Sequence, residues 1–166
     1  MKKLLIVYYS WSNGNTKRIA EMLQKETNAD IKRIETLEPY EGSYDDVVEQ
    51  GHREVNKGFL PKINLDVDLD AYDVIAIGTP TWWYTMAPAV KTFLTSQEWK
   101  GKKIVLFMTN GGWPGHVIQD MKKACTGAEC ISSIEIRFDS NGKDHLETPI
   151  HEINGWIRNV KAKIEL

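Results

Sequence analysis

The chain predicts a three-layer, doubly wound α/β domain with five parallel strands. Apolar runs of strand length alternate with helical patterns along the chain. The inner runs are almost wholly apolar, as in strands covered on both faces. With 166 residues, one domain spanning 1–166 has room for a full core.

Each element follows from a local pattern. Leu4-Leu5-Ile6-Val7-Tyr8-Tyr9 is the first strand. Ile19, Met22 and Leu23 mark one face of the first helix. Asp30 to Glu35 is polar enough for a strand at a sheet edge. Tyr44, Val47 and Val48 face inward from a helix running to about Asn56. Ile63, Leu65, Val67 and Leu69 alternate with Asn64, Asp66, Asp68 and Asp70, which reads as a strand or as an extended surface connector. Tyr72 to Gly78 is a buried strand, and Ala87, Val90 and Leu94 give the next helix. Lys103 to Thr109 is a second buried strand. Val117, Met121, Ala124 and Cys125 lie at helical spacing. Ile131 to Phe138 is the last strand, and Leu146, Ile150, Ile153, Ile157, Val160 and Ile164 repeat as a closing helix.

Composition narrows the function. The 21 Lys and Arg against 23 Asp and Glu leave a formal net charge of −2, so there is no basic footprint for nucleic acid. No apolar run approaches the ~20 residues that span a bilayer. Two lysines and six apolar residues at the amino terminus are shorter than a signal-peptide core, and a cytoplasmic protein is expected. Cys125 and Cys130 read as two buried thiols or as a redox pair. They are too few for a disulfide framework or a zinc site. The four histidines show no metal-ligand spacing.

Three strand-to-helix turns carry the chemistry. Ser10-Trp11-Ser12-Asn13-Gly14-Asn15-Thr16 follows the first strand and opens the first helix. The leading N–H groups of a helix have no internal partner and sit at its positive end, so they bind anions. Hydroxyls of Ser10, Ser12 and Thr16 add donors, and Gly14 admits close approach. No Lys follows the glycine and no further glycines stand at dinucleotide spacing. A phosphate monoester suits this loop best. The second turn is Thr79-Pro80-Thr81-Trp82-Trp83-Tyr84-Thr85-Met86, and the third is Thr109-Asn110-Gly111-Gly112-Trp113-Pro114-Gly115-His116. In an open parallel sheet these turns line one edge, where ligands bind. Trp82 and Trp83 offer rings for stacking or form an apolar plug. Small polar residues expose backbone donors and acceptors. Together they suit a flat heteroaromatic ligand with a phosphate beside it.

These three segments, with Gly78 through Leu94 the most specific, make the chain similar to flavodoxin-like FMN proteins over nearly its whole length. The resemblance implies FMN as cofactor and strand order 2-1-3-4-5. It implies that Ser10, Ser12, Gly14, Asn15 and Thr16 hold the phosphate. Thr79, Pro80, Thr81, Trp82, Trp83 and Tyr84 would lie against the isoalloxazine. Thr109, Asn110, Gly111 and Gly112 would meet its pyrimidine side. The phosphate loop is one residue longer than the family pattern, with Asn13 the extra residue. The second turn lacks the glycine that electron-carrying members often place there, and the surface is less acidic than theirs.

The resemblance implies a redox protein transferring electrons through a bound flavin, with a redox protein as partner. An NAD(P)H-dependent quinone oxidoreductase is the alternative, with NAD(P)H and a quinone-like acceptor as partners. Either a monomer or a homodimer is compatible. His116 reads as a proton donor to a substrate or as a solvated side chain. A receiver module of the same strand order needs acidic residues where Tyr9-Ser10 and Gly78-Thr79 stand.

Overall fold

The structure is a computed structural model describing residues 1–165. Five parallel strands are β1 (Leu4–Tyr8), β2 (Asp30–Arg33), β5 (Val74–Trp82), β7 (Lys103–Asn110) and β8 (Glu129–Arg137). Their spatial order is β2-β1-β5-β7-β8. Between them come the two-residue strands β3 (Glu35–Thr36), β4 (Ile63–Asn64) and β6 (Thr85–Met86), and the helices α1 (Asn15–Thr27), α2 (Tyr44–Lys57), α3 (Pro88–Thr95), α4 (Val117–Ala124) and α5 (Ile150–Ile164).

Side chains alternate across each strand and so feed two cores. Leu5, Val7, Ile75, Ile77, Leu106 and Met108 pack against α3 and α4 through Val90, Phe93, Leu94, Val117 and Met121. Leu4, Ile6, Val74, Ala76, Val105 and Phe107 pack against α1 and α5 through Ile19, Leu23, Ile153, Ile157 and Val160. This is the expected three-layer, doubly wound sheet. β2 is mostly exposed, as a polar edge strand should be.

Four boundaries differ from the sequence expectation. β5 runs four residues past Gly78, through Thr79-Pro80-Thr81-Trp82, because it pairs with β7 as far as Pro80↔Thr109 and then folds back on β6. Its apolar pattern stops earlier, but β-branched threonines favour the extended chain. The second turn is therefore only Trp83-Tyr84. The closing helix begins at Ile150 after Pro149; Leu146 instead bridges Phe138, since proline cannot donate inside a helix. Of the Ile63–Asp70 alternation only Ile63–Asn64 is strand, paired antiparallel with β3. The second strand stops at Arg33, and Glu35 turns to that small ladder.

α2 carries a capping box, with Ser43 accepting from Asp46 N–H and Asp46 accepting from Ser43 N–H. Cys125 and Cys130 are free. Burial pushes the Cys125 thiol up to about 12, which keeps it protonated and unreactive near neutral pH. No helix among the described residues is long and apolar enough to cross a membrane.

Candidate functional site

The carboxyl ends of β1, β5 and β7 meet where the strand order reverses, between β1 and β5. A cleft of about 280 Å³ opens there, at the small end of ligand sites. Its lining joins the loop after β1, the end of β5 and the end of β7 with one face of α2 and the turn after β8.

The loop after β1 brings Ser12, Asn13, Asn15 and Thr16 to the lining. Ser12 and Gly14 take left-handed backbone conformations, with φ of 64° and 75°. Gly14, the N-cap of α1, has no side chain to offer its first N–H groups. Lys17 N–H donates to Ser10 Oγ at 3.2 Å, and the N–H groups before it are positioned for an outside acceptor. Ser10 itself is buried and its carbonyl accepts from Arg33 at 2.8 Å. It pins the loop from behind. Thr16 is buried, and its hydroxyl lies 2.8 Å from that of Thr109, tying this loop to β7. Asn13 donates its amide to the Gly142 carbonyl, and Asn15 donates to the Lys143 carbonyl at 2.9 Å.

From β5 and its hairpin, Pro80, Thr81, Trp82 and Trp83 reach the lining. Thr79 is buried; its hydroxyl donates to the Pro80 carbonyl at 2.8 Å and accepts from Ala87 N–H at 3.1 Å. It braces the hairpin and does not line the cleft. Thr81 donates to the Thr109 carbonyl at 3.0 Å. The Trp82 indole meets Tyr9, Trp11 and Tyr40 edge-on, with centroids 6.0, 6.4 and 5.0 Å away. It lies across α2 at Gly51, where a Cβ would come within 2.9 Å of the ring. Trp82 seals the aromatic cluster, as a plug would, and also lines the cleft. Trp83 and Tyr84 occupy the turn with φ of 52° and 69°. Left-handed geometry costs a non-glycine residue about 1 kcal/mol or more. Trp83 donates its indole N–H to the Val48 carbonyl at 2.9 Å and stacks on His52 at 4.0 Å.

On the third side, Thr109, Asn110 and Gly111 line the cleft. The Asn110 side chain donates to the Ile136 carbonyl at 3.1 Å and accepts from Gly112 N–H at 2.8 Å, so it shapes the loop. Gly112 sits behind, against the Arg137 guanidinium. Tyr84 lies outside the main cleft. It borders an adjoining hollow of about 210 Å³ with Thr81, Trp83, Gly111 and Trp113. His116 Nδ1 pairs with Asp120, which also accepts from the Thr85 hydroxyl at 2.6 Å.

Sequence reasoning missed two walls. One is α2, through Tyr44, Val47, Val48 and Gly51; the other is Phe138, Asp139, Gly142 and Lys143. A glycine inside an amphipathic helix and a polar turn right after the last strand were the available signals. Behind the aromatic wall, burial pushes the Tyr9 and Tyr40 phenols up, Tyr40 further through the Glu54 carboxylate that accepts its hydroxyl at 2.6 Å. Both phenols remain neutral, and Tyr40 donates to Glu54.

The arrangement has known relatives. The fold matches a flavoprotein of Lactobacillus acidophilus NCFM solved in complex with FMN, at 25% identity and TM-score 0.71, covering 94% of this chain and 99% of that one. It also matches a Bacteroides eggerthii protein assigned as a flavoprotein, at 27% identity and TM-score 0.76, covering 98% and 99%. In sequence, the chain is 33% identical over 98 residues to an NAD(P)H dehydrogenase (quinone) of Gluconacetobacter diazotrophicus, covering 56% of this chain and 45% of that protein. It is 27% identical over 105 residues to flavodoxin 1 of Escherichia coli K12, covering 61% and 46%. The chain thus spans about half the length of the curated relatives it matches. A family model described as flavodoxin matches residues 3–153, and the chain belongs to the flavodoxin family.

Proposed function

We propose that the cleft binds FMN and that the protein transfers electrons through it to and from a redox partner. The observation that carries this reading is the convergence, in one cleft, of a helix start whose N-cap is a glycine, with Lys17 N–H alone taken by Ser10, and an aromatic wall. The hydroxyls of Ser12 and Thr16 and the backbone N–H groups of Asn13, Gly14 and Asn15 would hold the phosphate. Pro80, Thr81, Trp82 and Trp83 would flank the ring system, and Thr109, Asn110 and Gly111 would face its pyrimidine side. Ser10, Thr79, Tyr84 and Gly112 support these positions from outside the lining.

Bound FMN supplies reversible one- and two-electron chemistry. The chain's part is to bind, orient and exclude water. Trp82 and Trp83 would lower the local polarity and so disfavour added negative charge in the cleft, while the backbone N–H of Gly111 would oppose that effect. The test is direct. Purified protein should be yellow, and apoprotein should take up one FMN with quenching of flavin fluorescence. A colourless protein that takes up no added FMN overturns the reading.

The hollow beside the cleft supports a second reading. Trp83, Tyr84 and Trp113 are 39%, 52% and 59% exposed, and three exposed aromatic residues around a hollow suit a planar acceptor. An NAD(P)H-dependent quinone oxidoreductase would use it, with His116 held by Asp120 nearby as a proton donor. Under air-free conditions, saturable oxidation of NADPH by quinone supports this reading. Flavin that stays oxidised until a separate reductase is added supports the carrier. Free thiols at Cys125 and Cys130 fit a reducing compartment and support a cytoplasmic setting.

A further inference from the structure

One cationic residue on the cleft lining is left without a role by the FMN reading. Lys143 lies on the lining beside Ser12, Asn13, Asn15 and Thr16. It has no ion-pair partner among the described residues. Asp139, the other charged residue on that lining, is occupied by the turn itself. Its carboxylate accepts from the N–H groups of Asn141 at 3.1 Å, Lys143 at 3.0 Å and His145 at 3.4 Å. Those bonds, the one from Lys143 first, hold its carboxyl below the usual range.

The turn is fixed against the anion loop. Asn13 and Asn15 donate side-chain amides to the carbonyls of Gly142 and Lys143. On its other side Gly142, at φ 73°, lies so close to Tyr44 that a Cβ would sit 2.9 Å from the phenol oxygen. The backbone at residues 142–143 is therefore seated between the phosphate loop and α2. Asn13, the extra residue of the loop, makes one of the two clamps.

A phosphate monoester carries close to two negative charges at neutral pH. A helix start offsets roughly half of one. The nearby cations of α1 are engaged elsewhere: Lys17 pairs with Glu21 at 3.8 Å, and Arg18 lies over the Phe138 ring at 5.9 Å. Resting on the FMN reading, we propose that Lys143 is the counter-charge of the FMN phosphate, held in place by the Asn13 and Asn15 clamps, and that it sets the preference for FMN over riboflavin.

The experiment compares FMN with riboflavin, which lacks the phosphate, by fluorescence quenching on apoprotein. Losing one charge-assisted contact should weaken FMN about 10-fold in Lys143→Gln and leave riboflavin unchanged. Lys143→Arg should restore most of the affinity. Lys17→Gln, which removes the same charge outside the lining, should change FMN binding far less. Added salt should erode FMN affinity more in the wild type than in Lys143→Gln. Equal loss for FMN and riboflavin, equal loss in the Lys17 and Lys143 variants, or no loss in Lys143→Gln each overturns the proposal while FMN binding itself stands. A wild-type protein that binds neither flavin removes the FMN reading and this proposal with it.

Discussion

The loop after β1 and the helix α2 face each other across the cleft, and different forces hold them. The loop is set by hydrogen bonds to distant strands and turns: Ser10 to Arg33, Thr16 to Thr109, Asn13 and Asn15 to the 142–143 backbone. α2 is set by packing, with Trp82 across Gly51, Tyr44 stacked on Trp11 at 5.8 Å, and Trp83 on His52. Hydrogen bonds fix the positions of polar atoms to within tenths of an ångström, as a charged group requires. Aromatic packing fills volume and excludes water with looser angular demands. The polar side suits a phosphate and the aromatic side suits a ring.

The largest expected effect probes the packed side. Trp82→Ala should lower the stability of the apoprotein by about 3 kcal/mol, since it opens a void under three other rings. Urea unfolding measures this; a loss under ~1 kcal/mol would mean the aromatic cluster is no structural wall. Next comes Trp83→Gly. Relief of left-handed strain should offset the lost indole contacts to within ~1 kcal/mol of stability. FMN affinity should still fall by about 2 kcal/mol, borrowing the range for base–aromatic stacking. Unchanged FMN binding would take Trp83 out of the ring site.

The polar side predicts a different signature. Thr16→Val should cost about 1–2 kcal/mol of stability by leaving the buried Thr109 hydroxyl without its partner. Thr16→Val combined with Thr109→Val should cost less than the two single changes together. FMN binding should nevertheless be weakest in the double variant. Recovery of both stability and affinity would show that these hydroxyls serve the fold alone. The smallest effect is Ser43→Ala, which removes the cap of α2 and should lower stability by about 1 kcal/mol. A matching fall in FMN affinity would show that α2 shapes the ring site more than packing on Trp82 implies.

Much of this site was legible before folding. Ser12, Asn13, Asn15, Thr16, Pro80, Thr81, Trp82, Trp83, Thr109, Asn110 and Gly111 share one lining, as strand-to-helix turns on one sheet edge should. Ser10, Gly14, Thr79, Tyr84 and Gly112 are off that lining. Ser10, Thr79 and Gly112 are taken by Lys17 N–H, Ala87 N–H and Asn110 Oδ1, bonds between near neighbours that depend on the turn geometry and leave no periodic signal. The length of β5 was also hidden, because Thr79-Pro80-Thr81 looks like a turn until β7 supplies partners.

Local patterns alone determined the alternation of strands and helices, the buried inner strands, the polar edge and the three turns at one rim. These depend on periodicity and on residue preferences within a few positions of each other. Only the tertiary structure decided that Gly51 makes room for Trp82, that Trp83 leans on His52, and that Lys143 stands beside a loop 128 residues away along the chain. Such contacts form because the sheet brings remote segments to one edge. No periodicity in the chain encodes which side chains then meet.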